Sequence, residues 1–180
     1  MFYRESKNFL SNESKAFINK VVLHNGFPYF HQYTDNSKRH KRLFLSHIIL
    51  RRPEQRKPDE KWNSNHYESF LKIVKEFTVQ HKIEVKEFLR MCVNFTFNNT
   101  YTQSLPHTDH KTDYHQLLII LNKPADKEAA TVILSSDRNK IIKKIRPIQY
   151  RGICFDSYPH YQIMPRFGHR VAFVATFKSD

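Results

Sequence analysis

Residues 105–110 read Leu-Pro-His-Thr-Asp-His, and inside them His107 and Asp109 stand two apart. In an extended segment, positions i and i+2 point to the same side, so this imidazole and this carboxylate can meet one cation. Alone the pair is weak. With 11 histidines in 180 residues, chance places a His-x-Asp in about one of every two chains of this composition. A third ligand is needed, and His160 in FDSYPHYQIMP offers it. Two histidines and a carboxylate form a donor set that suits Fe(II) and leaves coordination positions open. Ten residues further on, Arg170 opens the apolar stretch VAFVATF. A guanidinium in such a strand is costly unless paired, so it predicts a buried anion. A keto dicarboxylate such as 2-oxoglutarate is one. Its keto-acid end can chelate iron while its far carboxylate takes a two-pronged arginine contact. Iron, Asp109 and that dianion together carry one negative charge, which Arg170 would cancel.

Each residue also has a plainer reading. His160 alone is an ordinary turn histidine, and Arg170 could be capped by Asp156. His110 adjoins Asp109 and would face the other side of a strand, while His115 lies too far along, so both are expected beside the site or at the surface. Other chemistries find no motif. There is no GxSxG elbow, no HExxH, no GxGxxG and no GxxxxGK[ST].

The elements that must position these residues come in two textures. Ser11 is an expected N-cap for a helix with Phe17, Ile18, Val21 and Val22 on one face, ended by Asn25-Gly26 before Pro28. LFLSHIIL, residues 43–50, reads as a strand, and the charged, proline-bearing 51–65 as a surface loop. A second helix is expected over 65–81, with Tyr67, Phe70, Leu71, Val74 and Phe77 on its buried face. From about residue 87 short β-rich runs follow one another: 87–97, 116–122, 131–135, 140–146, 151–156 and 170–177. Many short strands suggest a sandwich or barrel. The expected class is therefore α+β, with the helices packed on one sheet.

Length bounds this to one domain, 1–180, of helical support and basic loops (1–86) and a β core with the metal site (87–180). Hydrophobic residues at 39% and aromatics at 14% are enough for a packed core and argue against disorder. Apolar runs such as LLIIL fall far short of a membrane span, and MFYRESKNF lacks the apolar centre of a signal peptide. Cys92 and Cys154 lie singly in apolar stretches, as buried thiols of a reducing compartment do, so the cytoplasm is expected. A net charge of +13 favours an anionic partner. Much of it sits in 38–57 (Lys38, Arg39, Lys41, Arg42, Arg51, Arg52, Arg56 and Lys57), either an anion-binding rim or a solvated loop.

With those residues in place, the segment 94–177 resembles the double-stranded β-helix, or jelly-roll, of the Fe(II)/2-oxoglutarate-dependent oxygenases, and most of all their prolyl-hydroxylase-like branch. PHTD is similar to that family's ligand turn, IILNKPAD to its YLNK strand and following loop, and AATVIL to its Gly-Gly-x-Thr-type strand. IRPIQYRGICFDSYPHYQIMP resembles the stretch leading to the distal histidine, and GHRVAFVATF the last, arginine-bearing strand. The first ninety residues resemble the N-terminal part of small oxygenases encoded by marine bacteriophages, which would place the protein in a host cytoplasm. The resemblance implies iron held by His107, Asp109 and His160 and a cosubstrate held by Arg170. It implies use of O2 and 2-oxoglutarate, release of succinate and CO2, hydroxylation of a C–H bond, and ascorbate in support. Ile120 stands where many prolyl hydroxylases carry a cosubstrate-binding tyrosine, so another hydroxyl, Tyr101 or Thr176, is expected to assist Arg170. Ala129-Ala130 replaces the glycine pair.

Three substrate readings stay open. One is a prolyl residue in a protein, admitted between loops near 51–65 and 97–106. The second is a nucleic-acid base, which the charge favours and the lack of a second arginine after Arg170 disfavours. The third is a jelly-roll that binds an anionic partner without catalysis.

Overall fold

The computed structural model describes residues 2–33, 43–98 and 101–179. In chain order they form β1 (Tyr3–Ser6), α1 (Asn12–Phe17), β2 (Phe30–Tyr33), β3 (Leu43–Leu50), α2 (Tyr67–Gln80), β4 (Val85–Phe97), β5 (His115–Ile120), β6 (Thr131–Leu134), β7 (Ile141–Ile145), β8 (Gly152–Asp156), β9 (His160–Gln162) and β10 (His169–Ser179). A π-helical turn, Ile18–Val22, continues α1, and a 3-10 turn, Pro53–Gln55, follows β3.

Ser11 caps α1 as its sequence suggests, its hydroxyl accepting from the Ser14 amide at 3.1 Å. Glu76 of α2 fastens the two helices together, taking the Ser11 amide at 3.1 Å and the Ser14 hydroxyl at 2.9 Å. Phe70, Ile73, Val74 and Phe77 recur at helical spacing on α2 and are fully buried. They pack on alternate residues of the long sheet: Met91 and Val93 of β4, Leu117 and Ile119 of β5, and Val171, Phe173, Ala175 and Phe177 of β10.

That sheet has seven strands in the order β1-β8-β5-β10-β4-β3-β2, and a smaller one has the order β7-β6-β9. All the strand pairings are antiparallel. Bridges Gln103↔Ile163 and His107↔His160 lay the segment 103–107 along the other side of β9, as a fourth line of the small sheet. The odd-numbered residues of β4, β5 and β10 named above face the helices, while Cys92, Leu118, Ile120, Ala172 and Val174 lie on the opposite face as a separate apolar cluster. The alternation of period two thus divides each central strand between a helix-covered core and a cavity wall. This is the expected α+β jelly-roll with helices on one sheet.

The predicted strands lie where expected, with ends shifted by one or two residues. Three strands are new. β1 and β2 are four-residue edges of the long sheet, and β9 has three residues. Each is too short to show a period, and each exists because a longer neighbour offers it a free edge.

Candidate metal centre

The small sheet brings the two histidines together. His107 and His160 face each other as a reciprocal pair, the His107 amide donating to the His160 carbonyl at 3.0 Å and the His160 amide to that of His107 at 2.9 Å. Such a pair puts the two side chains on one face of the sheet. Their rings lie 4.7 Å apart. Each ring is oriented in the same manner. The Nδ1–H of His107 donates to the Leu105 carbonyl at 3.0 Å, and that of His160 to the Tyr158 carbonyl at 3.1 Å. Both Nε2 atoms are left with a lone pair for a cation, and the carbonyls fix the ring angle as outer partners of metal-bound histidines do.

Asp109 completes the group. One ligand atom from each of His107, Asp109 and His160 lies within 4.8 Å of the others. The carboxylate is divided between two tasks. Oδ1 accepts from Arg52 Nη2 and Arg90 Nη1, both at 3.2 Å, while Oδ2 faces His160 Nε2 at 3.7 Å. The Asp109 amide donates to the Tyr114 hydroxyl at 2.7 Å, and its carbonyl accepts from Arg52 Nη1. Burial raises the Asp109 pKa, but Arg90, the two imidazoles and Arg52 outweigh it and hold the carboxyl down at about 2. It is a carboxylate at neutral pH. Burial pushes the His160 pKa down, against the pull of Asp109, so this ring is a neutral ligand rather than a cation.

The group opens into a cavity of about 1210 Å³. Leu118, Ala172, Val174 and Met164 give it an apolar wall, and Arg170 and Thr131 line it as well. Arg170 is 2% exposed. Its Nη2 donates to Thr131 Oγ1 at 2.9 Å, and its Nε has no partner. Among the described residues no carboxylate pairs with it. Asp156, the structural partner weighed above, instead takes the Phe2 amide at 2.6 Å and lies 3.2 Å from His115 Nδ1. Burial lowers the Arg170 pKa to about 10, which still leaves it a cation. A buried guanidinium with a spare donor suits an anion, and no described residue provides one.

The hydroxyl expected to assist Arg170 has a further candidate in Thr131. The described cavity wall includes neither Tyr101 nor Thr176, and Thr176 is bonded to His110 Nε2 at 2.8 Å. Thr131 places its hydroxyl on Arg170 Nη2. Ile120, at the tyrosine position, is buried in the apolar cluster with Leu118 and Ala172.

Sequence reasoning missed four groups. Arg90, on the inward face of β4, carries the same signal that marked Arg170, a guanidinium in an apolar strand. Arg52, Thr131 and Gln116 carry no such signal. Gln116 is 3% exposed, with Nε2 3.4 Å from His160 Nε2 and Oε1 unpartnered, so its amide faces the ligand end of the cavity. The basic stretch 38–57 is only partly described, since Lys38, Arg39, Lys41 and Arg42 lie outside the described residues. Within the rest, Arg51 is tied to Glu60 at 2.9 Å and Asn63 at 3.0 Å, Arg52 to Asp109, and Arg56 to the carbonyls of Phe88 and Leu89.

The donor set fits a ferrous ion, with two imidazole nitrogens and one carboxylate oxygen converging from one side of an open cavity. The Arg170 guanidinium, which no described carboxylate pairs, fits a dicarboxylate in the same cavity.

No family model and no curated protein sequence matches the chain. Solved structures do match its fold. A 2OG-Fe(II) oxygenase family oxidoreductase from Burkholderia pseudomallei superposes with a TM-score of 0.74 at 13% identity, covering 98% of this chain and 84% of that one. A prolyl hydroxylase from Trichoplax adhaerens, in complex with a peptide fragment of the hypoxia inducible factor oxygen degradation domain, gives 0.66 at 16% identity, covering 97% and 82%. The viral collagen prolyl hydroxylase of Paramecium Bursaria Chlorella virus-1, as its 2OG complex, gives 0.58 at 14%, covering 98% and 96%. At these identities the likeness is one of fold, and that fold is the one the strand pattern and motifs led us to expect.

Proposed function

We propose that the chain is a 2-oxoglutarate- and Fe(II)-dependent dioxygenase that hydroxylates a prolyl residue of a polypeptide. The observation that carries this is the meeting of His107, Asp109 and His160 in the same cavity as a buried, carboxylate-free Arg170. In the overall reaction 2-oxoglutarate, O2 and a C–H bond give succinate, CO2 and a C–OH bond.

Bound iron supplies the activation of O2 and the oxidation of the keto acid. The chain supplies position and charge. His107 and His160 present Nε2, each held at Nδ1 by a carbonyl two residues earlier. Asp109 presents Oδ2, its charge kept by Arg90 and Arg52 at Oδ1. Arg170 and Thr131 take the far carboxylate of the cosubstrate. Leu118, Ala172, Val174 and Met164 keep water from the space between.

The polypeptide reading draws on the mouth. The cavity exceeds the roughly 300–1,000 Å³ of a small-molecule site, leaving space for a second substrate beside a dicarboxylate. Its rim carries Gln32, Gln55, Asn63 and Asn65 with exposed Phe30 and Leu105. Amides that both donate and accept suit a peptide backbone, and a similar fold binds a peptide in the Trichoplax enzyme. The base-oxygenase alternative has the +13 charge in its favour. Against it, Arg52 and Arg56 spend guanidinium donors on Asp109 and on the carbonyls of Phe88 and Leu89, and Arg51 spends Nε on Glu60 and Asn63. No helix among the described residues is long and apolar enough to cross a membrane. Both cysteines are free and buried, which fits a reducing cytoplasm.

The test is turnover. With Fe(II), O2 and 2-oxoglutarate the chain should release succinate, and proline-containing peptides should gain the mass of one oxygen. His107→Ala should abolish both while its circular dichroism stays that of the parent. A folded parent that neither binds iron nor makes succinate would leave only the non-catalytic reading.

A further inference from the structure

Arg52 stands just after β3, where the chain enters the loop 51–66. That loop forms one side of the cavity mouth through Arg51, Glu54, Gln55, Asn63 and His66. Its far end is pinned back onto β3. The Asn63 amide donates to the Ile49 carbonyl at 2.9 Å, the Asn63 side chain to that of Ile48 at 2.8 Å, and Ser64 Oγ meets His47 Nε2 at 2.7 Å. Its near end is fastened twice, to β4 through Arg56 on the Phe88 and Leu89 carbonyls, and to the ligand turn through Arg52. Arg52 spans the Asp109 backbone carbonyl with Nη1 and the carboxylate Oδ1 with Nη2. Arg90 touches that same Oδ1 but is rooted in β4 and reaches no backbone atom of the turn. The two guanidiniums therefore do different things. Arg90 is a fixed counter-charge. Arg52 grips side chain and main chain together, which fixes the rotamer of the residue as well as its charge.

We propose that Arg52 is a positioning residue for the metal ligand, latching the mouth loop to the Asp109 turn so that an ordered mouth and a formed metal centre come as one unit. The inference rests on the triad being a metal site, and the test below separates the two. The sign of one measurement is decisive. A guanidinium acting only as a nearby positive charge repels a divalent cation, so its removal would tighten metal binding. A guanidinium acting by orientation has the opposite effect, because losing an outer partner of a ligand weakens metal affinity about 10–100-fold. Lysine keeps the charge but has no fork to span carbonyl and carboxylate. Under this proposal Arg52→Lys therefore behaves like Arg52→Ala.

Two readouts on the full chain suffice. The first is Mn(II) affinity by calorimetry. The second is acrylamide quenching of Trp62 without metal. Trp62 is the single tryptophan. It lies in the loop 44% exposed, its ring 5.2 Å from Tyr67 and nearly parallel to it, so it reports loop order. Both variants should bind Mn(II) about tenfold more weakly than the parent and show steeper Trp62 quenching. Mn(II) binding that is unchanged or tighter overturns the proposal, as does unchanged quenching. Should Arg52→Ala fail to fold, Arg52→Lys alone carries the comparison. A parent that binds no Mn(II) would refute the triad, and the quenching would then decide the latch by itself.

Discussion

Arg170 is a side chain whose place in the fold costs stability. It is 2% exposed, shares one hydrogen bond with Thr131 at 2.9 Å and has an unpartnered Nε. A buried polar group left unsatisfied costs about 1–3 kcal/mol, more when it is charged. An apolar side chain of similar length avoids that cost, and replacing buried charges by packed apolar groups is often neutral or stabilising. Arg170→Met should therefore raise the stability of the metal-free, cosubstrate-free protein toward urea by about 1–3 kcal/mol. It should leave Mn(II) affinity nearly unchanged, since it removes no metal ligand, and should weaken 2-oxoglutarate binding strongly. Urea unfolding and calorimetry on the same preparation give all three numbers. A variant less stable than its parent would mean that Arg170 is a structural cation after all.

The strands place these residues by alternation, and alternation also fixes what the opposite face tolerates. Gly152 opens β8, paired to both β1 and β5, and a Cβ there would lie 2.7 Å from Phe9 Cε1 and 2.9 Å from Phe77 Cδ2. Phe77 is a fully buried residue of α2, so it cannot swing into solvent, and the helix itself would have to shift. Overpacking of this kind typically costs about 1–3 kcal/mol. Gly152→Ala should lower the urea midpoint accordingly while leaving the m-value as it was. Shortening Phe9 to Leu in the same chain should recover part of the loss.

How much of this was legible beforehand follows from the same geometry. β4, β5 and β10 are long enough to declare their period, and α2 shows its buried face in Phe70, Val74 and Phe77. β1, β2 and β9 do not, because a strand of three or four residues is defined by the edge it joins, not by its own pattern. The triad was legible because His107 and Asp109 are two apart and because Arg170 is a charge in an apolar run. Arg90 in β4 carries the same signal. Arg52, Thr131 and Gln116 reach the site through tertiary approach alone. The spacing that singles out His107 says nothing of which loop will lie against it.

At the scale of the molecule, the cavity beside the triad carries in Arg170 a charge that no described carboxylate pairs, and the stability of the fold should answer to what fills that cavity. A ligand that binds only the folded state stabilises it by about 2.7 kcal/mol at a hundred times its Kd. For a protein of this size each kcal/mol moves Tm by roughly 2–4 °C, so Mn(II) at that excess should raise Tm by roughly 5–10 °C. The order of addition carries the information. With Mn(II) on the triad, 2-oxoglutarate can use both of its ends and should add a further rise. Without the metal only the Arg170–Thr131 end remains, and one exposed-to-buried carboxylate contact is a weak hold. 2-Oxoglutarate alone should therefore shift Tm little. His160→Ala should erase the Mn(II) shift and, with it, the additional shift from 2-oxoglutarate, whereas Arg170→Met should keep the first and lose the second. Thermal scans of the three chains with Mn(II), with 2-oxoglutarate and with both distinguish these cases. Equal and independent shifts from the two ligands would show that they bind apart, and the picture of one shared cavity would have to be given up.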